Sequence, residues 1–147
     1  MAHKASDIAK IILKLSNPDV GDIISNLKLQ KLLYYVQGFA LAMYDKPLFD
    51  EDIEAWMYGP VVPCVYQEYK EFGSGAIEFD SDFEIPKTIT EEDISLIKEV
   101  YDVYGQYSAL KLMNLTHDES PWKSTQTGQG NVIEQAEMLS YFKTRIC

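Results

Sequence analysis

A mainly α fold, a single compact helical domain of about six helices with a small β-hairpin, is what the sequence predicts. Three observations carry that expectation. Apolar residues recur at helical spacing in separate stretches along the chain. Cap and stop residues such as Ser108, Thr90, Gly73 and Gly105 punctuate those stretches. Only two short segments, near residues 53–58 and 76–85, have the composition of strands. At 147 residues and 46% hydrophobic, with no repeat and no linker, residues 1–147 form one domain of ordinary globular composition.

The first helix begins near Ser6, a good N-cap with Asp7 in the first turn. Ile8, Ile11, Ile12 and Leu15 make its apolar stripe, and Asn17-Pro18 ends it. The second helix starts at a Ser25 or Asn26 cap and runs to about Tyr44. Leu29, Leu32, Leu33, Val36, Ala40 and Met43 form one stripe; Leu27, Tyr34 and Leu41 form another. A helix apolar on most of its circumference is central in the core. Lys28 and Lys31, one turn apart, read as a small basic spot on it.

Asp45-Lys46-Pro47 breaks that helix, and Leu48-Phe49 dock on the core. Residues 53–58 read as a short strand, and Gly59-Pro60 as a turn. Pro63 suits the first turn of a third helix, which Gly73 stops. Residues 74–88 are acidic and loop-like, either extended across the surface or paired as a strand with residues 53–58. Thr90 and Asp93 form a capping box for a fourth helix that ends at Gly105. Ser108 caps a fifth. A loop follows from Thr116 to Gly130, and Asn131 with Glu134 opens the last helix by a reciprocal cap.

Charge excludes several functions. Thirteen Lys and Arg against twenty-three Asp and Glu leave a formal charge of −10. Nucleic-acid affinity rests on cations neutralising phosphates, so a broad nucleic-acid surface is not expected, nor is binding to an anionic membrane. The acid is concentrated: residues 45–93 carry fourteen acids and three Lys, whereas residues 1–44 are net +2. That asymmetry fits a basic partner, with solubility as the competing explanation. Met1-Ala-His-Lys leads into polar sequence without a signal peptide, and no apolar run approaches the roughly 18 residues of a membrane span. The two cysteines, Cys64 and Cys147, make no disulfide framework. The chain reads as cytoplasmic.

The sequence is poor in catalytic patterns. His3 and His117 are the only histidines, and no spacing of His, Cys or acids matches a metal motif, so neither a metal nor a cofactor is expected. Gly73-Ser74-Gly75 and Gly128-Gln129-Gly130 are isolated G-x-G pairs and read as turns. His117, with Asp118, Glu119 and Ser120 beside it, is the one candidate general base; a small hydrolase-like site there is the enzymatic alternative, and Cys64 with His117 a further variant. Ten Tyr and two Trp are the distinctive feature. Such residues offer large contact area and a polar tip at interfaces, and Tyr34, Tyr35, Trp56, Tyr58 and Trp122 are the interface candidates.

Three stretches together resemble one family. They are Leu29-Gln30-Lys31-Leu32-Leu33-Tyr34-Tyr35-Val36-Gln37; Pro47-Leu48-Phe49 with Ile53-Glu54-Ala55-Trp56-Met57-Tyr58-Gly59-Pro60-Val61 and Val65-Tyr66; and Leu115-Thr116-His117 with Pro121-Trp122. Their order and spacing are similar to the Panacea domain of SocA-like antitoxins and phage-associated proteins, over about residues 6–143. The resemblance implies a non-enzymatic antitoxin encoded beside its toxin, often on prophages or mobile elements. It implies neutralisation of a cognate protein toxin, expected here to be basic, by direct contact, in some members with delivery of the toxin to a cytosolic protease. An extra DNA-binding segment like that of some relatives is not expected within these 147 residues. Carried onto this chain, the expected partner-binding residues are Lys31, Tyr34, Trp56, Tyr58, His117 and Trp122, with Gly59 and Pro60 setting a turn. A phage-derived protein that binds a host factor is the remaining alternative.

Overall fold

The structure, a computed structural model, describes residues 2–16, 23–78 and 82–146. Its elements run α1 (Ala5–Leu15), α2 (Asn26–Tyr44), β1 (Glu54–Trp56), β2 (Gly59–Val61), α3 (Pro63–Glu68), a 3-10 turn (Lys70–Phe72), α4 (Glu91–Tyr104), α5 (Ala109–His117), α6 (Ser120–Lys123) and α7 (Gln135–Lys143). The mainly α expectation holds, with one short helix more than expected: α6 lies inside the stretch read as a loop.

Helix α2 is the axis. Ser25 caps it by accepting from the Lys28 amide, and Asp45, in the left-handed region at φ 55°, ends it. Fifteen of its nineteen residues are buried, and α1, α3, α4, α5, α7 and β2 all pack against it. The most extensive packing is against α7. A Cβ at Gly38 would overlap the Phe142 ring, so only glycine lets that ring lie on the α2 backbone. Around it Tyr34, Tyr35, Phe39, Tyr104 and Phe142 interlock; Tyr35 and Tyr104 stack at 3.9 Å, and Phe39 meets Phe142 edge-on at 4.9 Å. Aromatic pairs of this kind add about 0.5–1.5 kcal/mol beyond their area.

Because most of α2 is enclosed, its buried polar side chains must bond internally. Gln37 accepts from the Leu48 and Phe49 amides at 2.8 and 3.2 Å and donates to the Phe49 carbonyl at 2.9 Å. Gln30 accepts from the Val62 amide at 2.8 Å and donates to Asn26. These two glutamines, seven residues apart, tie down the segments entering and leaving the hairpin. Lys28 is buried too, donating to the Gly105 carbonyl at 2.6 Å. The basic spot expected at Lys28 and Lys31 is therefore internal.

Other local expectations change. Helix α1 starts at Ala5 without a side-chain cap from its own N-cap residue; the Glu51 carboxylate accepts from the Ala5 amide instead, and Ser6 donates to Glu68. The Asn17-Pro18 stop, Phe79, Asp80 and Cys147 lie outside the described residues. The hairpin pairs β1 with β2, not with the described residues of the 76–85 stretch. The far edge of β1 is occupied by residues 128–133: the Gly128 amide donates to the Ala55 carbonyl, the Ala55 amide to that of Asn131, and the Ile133 amide to that of Ile53. Ile77 is held elsewhere, donating to the Ile24 carbonyl at 3.0 Å. Asn131 consequently belongs to the strap on β1, and α7 starts after Glu134 with no side-chain cap bond. The Thr90–Asp93 capping box and the Ser108 cap form as expected.

Candidate functional site

The six residues expected to meet a partner separate into two layers. The turn of the hairpin is Met57-Tyr58, with Trp56 paired to Gly59. Gly59 and Pro60, read as the turn itself, are the first two residues of β2. Gly59 has φ +113°, and a Cβ there would sit 3.0 Å from Lys31 Cε and 3.1 Å from Thr116 Oγ1. Glycine is thus needed twice, for backbone conformation and for space. Met57 and Tyr58 project to solvent, 65% and 57% exposed.

Behind this tip the hairpin is buttressed by aromatic rings. The Trp56 indole N–H donates to Glu54 Oε1 at 2.9 Å, and its ring meets Tyr66 edge-on at 5.0 Å. Glu54 Oε1 also accepts from the Gly130 amide at 2.7 Å, so one carboxylate ties β1 to the strap. The Trp122 indole N–H donates to the Trp56 carbonyl at 2.9 Å. The Trp122 ring stacks on His117, centroids 4.0 Å apart and 20° from parallel. Trp56, His117 and Trp122 are half-buried. The Trp122–Trp56 hydrogen bond therefore joins the α5–α6 corner to the hairpin.

Lys31 and Tyr34 belong to the layer below. Both are buried, at 1% and 0% exposure. Lys31 Nζ donates to the Leu27 carbonyl at 3.1 Å, and burial lowers its pKa to about 8. Its stem packs beneath Gly59. The Tyr34 hydroxyl donates to Glu119 Oε1 at 2.9 Å, and the Tyr35 hydroxyl to Glu119 Oε2 at 2.8 Å. Burial raises the pKa of Glu119, offset in part by the hydrogen bonds of Tyr35, Tyr34 and Tyr141 and by the charge of Arg145. Burial and the Glu119 charge push both tyrosines up in turn.

Glu119 is the residue that sequence reasoning missed as a structural centre. It sits between α5 and α6, three residues before Trp122. The carboxylate engages tyrosines rather than His117, whose Nε2 is buried without a hydrogen-bond partner among the described residues. Asp118 is exposed as the residue ending α5. Burial and the Glu51 charge raise the Cys64 thiol, the wrong direction for an activated nucleophile. The arrangement offers large aromatic contact area on rigid supports, the chemistry of recognition.

Two comparisons bear on this site. A family model described as "Antitoxin SocA-like, Panacea domain" matches residues 29–123, from the first turn of α2 through α6. The chain belongs to the SocA-like, Panacea-domain antitoxin family. A curated protein named Antitoxin SocA, from Caulobacter vibrioides (strain NA1000 / CB15N), is 34% identical over 117 residues, covering 73% of this chain and 62% of that protein. No solved structure matches this chain. The Panacea-domain match spans Lys31, Tyr34, the hairpin, His117, Glu119 and Trp122, so both layers lie within the family's own segment. Among the described residues no helix is long and apolar enough to cross a membrane, and no cluster of three or more His, Cys, Asp or Glu has a metal-holding arrangement.

Proposed function

We propose that this chain is a non-enzymatic antitoxin that neutralises a cognate, basic protein toxin by direct contact, docking it on the surface of Trp56, Tyr58, His117 and Trp122. The observation that carries the reading is the hairpin tip. Tyr58 stands out to solvent on a turn fixed from behind by the Trp122–Trp56 hydrogen bond and the Gln30–Val62 tie. A large aromatic side chain held outward on a rigid support loses little entropy on binding, which suits an interface anchor. Similarity to a protein named Antitoxin SocA supports the role, and the formal charge of −10 favours encounter with a basic partner.

Part of the acidity has structural work instead. Glu51 binds the start of α1, Glu54 the strap, and Asp93 both His3 and the Thr90 amide. The exposed acids Glu78, Asp82 and Glu84 are the better candidates for steering a basic toxin; Asp80 lies outside the described residues. Delivery of the bound toxin to a cytosolic protease is the finer form of the proposal, and it predicts a toxin half-life that shortens when the antitoxin is present. The test is co-expression with the product of the adjacent open reading frame. Growth arrest by that product, relieved by this chain, supports the antitoxin; arrest that persists with the antitoxin folded and expressed overturns it.

A further inference from the structure

A second surface lies away from the hairpin. An apolar groove of about 300 Å³ runs between the C-terminal half of α2 and α4, with Ile146 also in its lining. Phe39 and Met43, one turn apart on α2, form one wall. Leu96, Val100 and Val103, at i, i+4 and i+7 of α4, form the other. Met43 is 45% and Val103 50% exposed. Scattered exposed apolar side chains are ordinary, whereas a contiguous furrow between two helical ridges is a seat for a third helix.

The charges beside the groove say which helix fits. Helix α4 carries five acids and one lysine. Glu99 lines the groove, and Glu92, two turns earlier on the same side of the helix, reaches Tyr44 at the end of α2. Among the described residues Arg145 is the one cation lining it, and its charge acts on Glu119, Tyr104 and Tyr141. A second copy of this chain would bring the same acidic rim and another formal charge of −10 against the first, which opposes self-association. We infer that the α2–α4 groove docks an amphipathic helix of a partner protein, with its apolar side between Met43 and Val103 and basic residues against Glu92 and Glu99. This inference stands apart from the antitoxin proposal, because its test needs no toxin.

The probe is an 18-residue peptide with leucine on one helical face and lysine on the other, compared with a twin carrying glutamate in place of lysine. Binding is read by fluorescence anisotropy near physiological salt and mapped by amide chemical shifts of the full chain. The lysine peptide is expected to bind and to shift residues 39–43 and 96–104, with the glutamate twin at least about ten-fold weaker. Val103→Asp is expected to weaken binding about ten-fold or more, and the pair Glu92→Lys with Glu99→Lys to reverse the preference between the twins. Met43→Asp is the second apolar variant should Val103→Asp lose the native circular dichroism. Shifts centred on Tyr58 and Trp122, equal affinity for the twins, or unchanged binding by a folded groove variant overturns the inference. So does a concentration-dependent dimer in sedimentation equilibrium that Val103→Asp abolishes, since the groove then belongs to a second copy.

Discussion

The Trp122 indole N–H donates to the carbonyl oxygen of Trp56 at 2.9 Å, joining α6 to the last residue of β1 across 66 positions of sequence. Through that bond the α5–α6 corner sets the pose of the hairpin tip. Trp122→Phe keeps an aromatic ring beside His117 and removes the N–H donor together with the five-membered ring that carries it. It is expected to cost about 1 kcal/mol of stability and to speed amide exchange at residues 54–61, measured by native-state hydrogen exchange.

Glu119 anchors the layer beneath. Glu119→Ala leaves the hydroxyls of Tyr34 and Tyr35 buried without their acceptor, at a cost of roughly 3 kcal/mol. Glu119→Gln retains an acceptor and is expected to cost less. Urea denaturation of both variants checks the order; equal losses contradict the role given to the carboxylate.

Lys31 links stability to pH. Its pKa falls from 10.5 in the unfolded chain to about 8 in the folded one. Between those values the unfolded state binds more protons, so stability rises with pH. Tyr34 and Tyr35 act in the opposite sense only above pH 10, their ordinary value, because their folded pKa values are raised. From pH 8 to 9.5 the lysine is thus expected to contribute a gain of about 1.5 kcal/mol. Lys31→Met should remove that gain, and chemical denaturation across the window measures it.

Gly38 tests the packing of α2 on α7. Gly38→Ala forces a methyl group into the Phe142 ring and is expected to cost about 1–3 kcal/mol, the range for an overfilled core. A thermal scan that shows no loss contradicts the close approach.

The central place of α2 was legible because apolar residues cover its circumference, and the same fact explains what was misread. Lys31 and Tyr34 have polar ends and looked like surface groups. On the enclosed part of this helix those ends find internal acceptors, Leu27 O and Glu119. The signal was available in Gln30 and Gln37: polar residues on a helix with no polar face have to bond to other segments. Glu119 carried no such signal, since its neighbours in sequence say nothing of the tyrosines that meet it. Gly59-Pro60 has the composition of a turn, yet the turn falls on Met57-Tyr58, because Gly59 serves the close passage over Lys31 and Thr116. Residues 76–85 alternate like a strand, but the edge of β1 was already taken by residues 128–133.

The most direct test of the hairpin as the toxin's seat is calorimetric titration of the adjacent open reading frame's product into wild type and a Met57→Ala, Tyr58→Ala double variant. Both side chains are largely exposed, so the fold should be unaffected, as circular dichroism can verify. The account predicts binding weaker by about ten-fold or more and loss of growth rescue. Wild-type affinity in the folded double variant would contradict it.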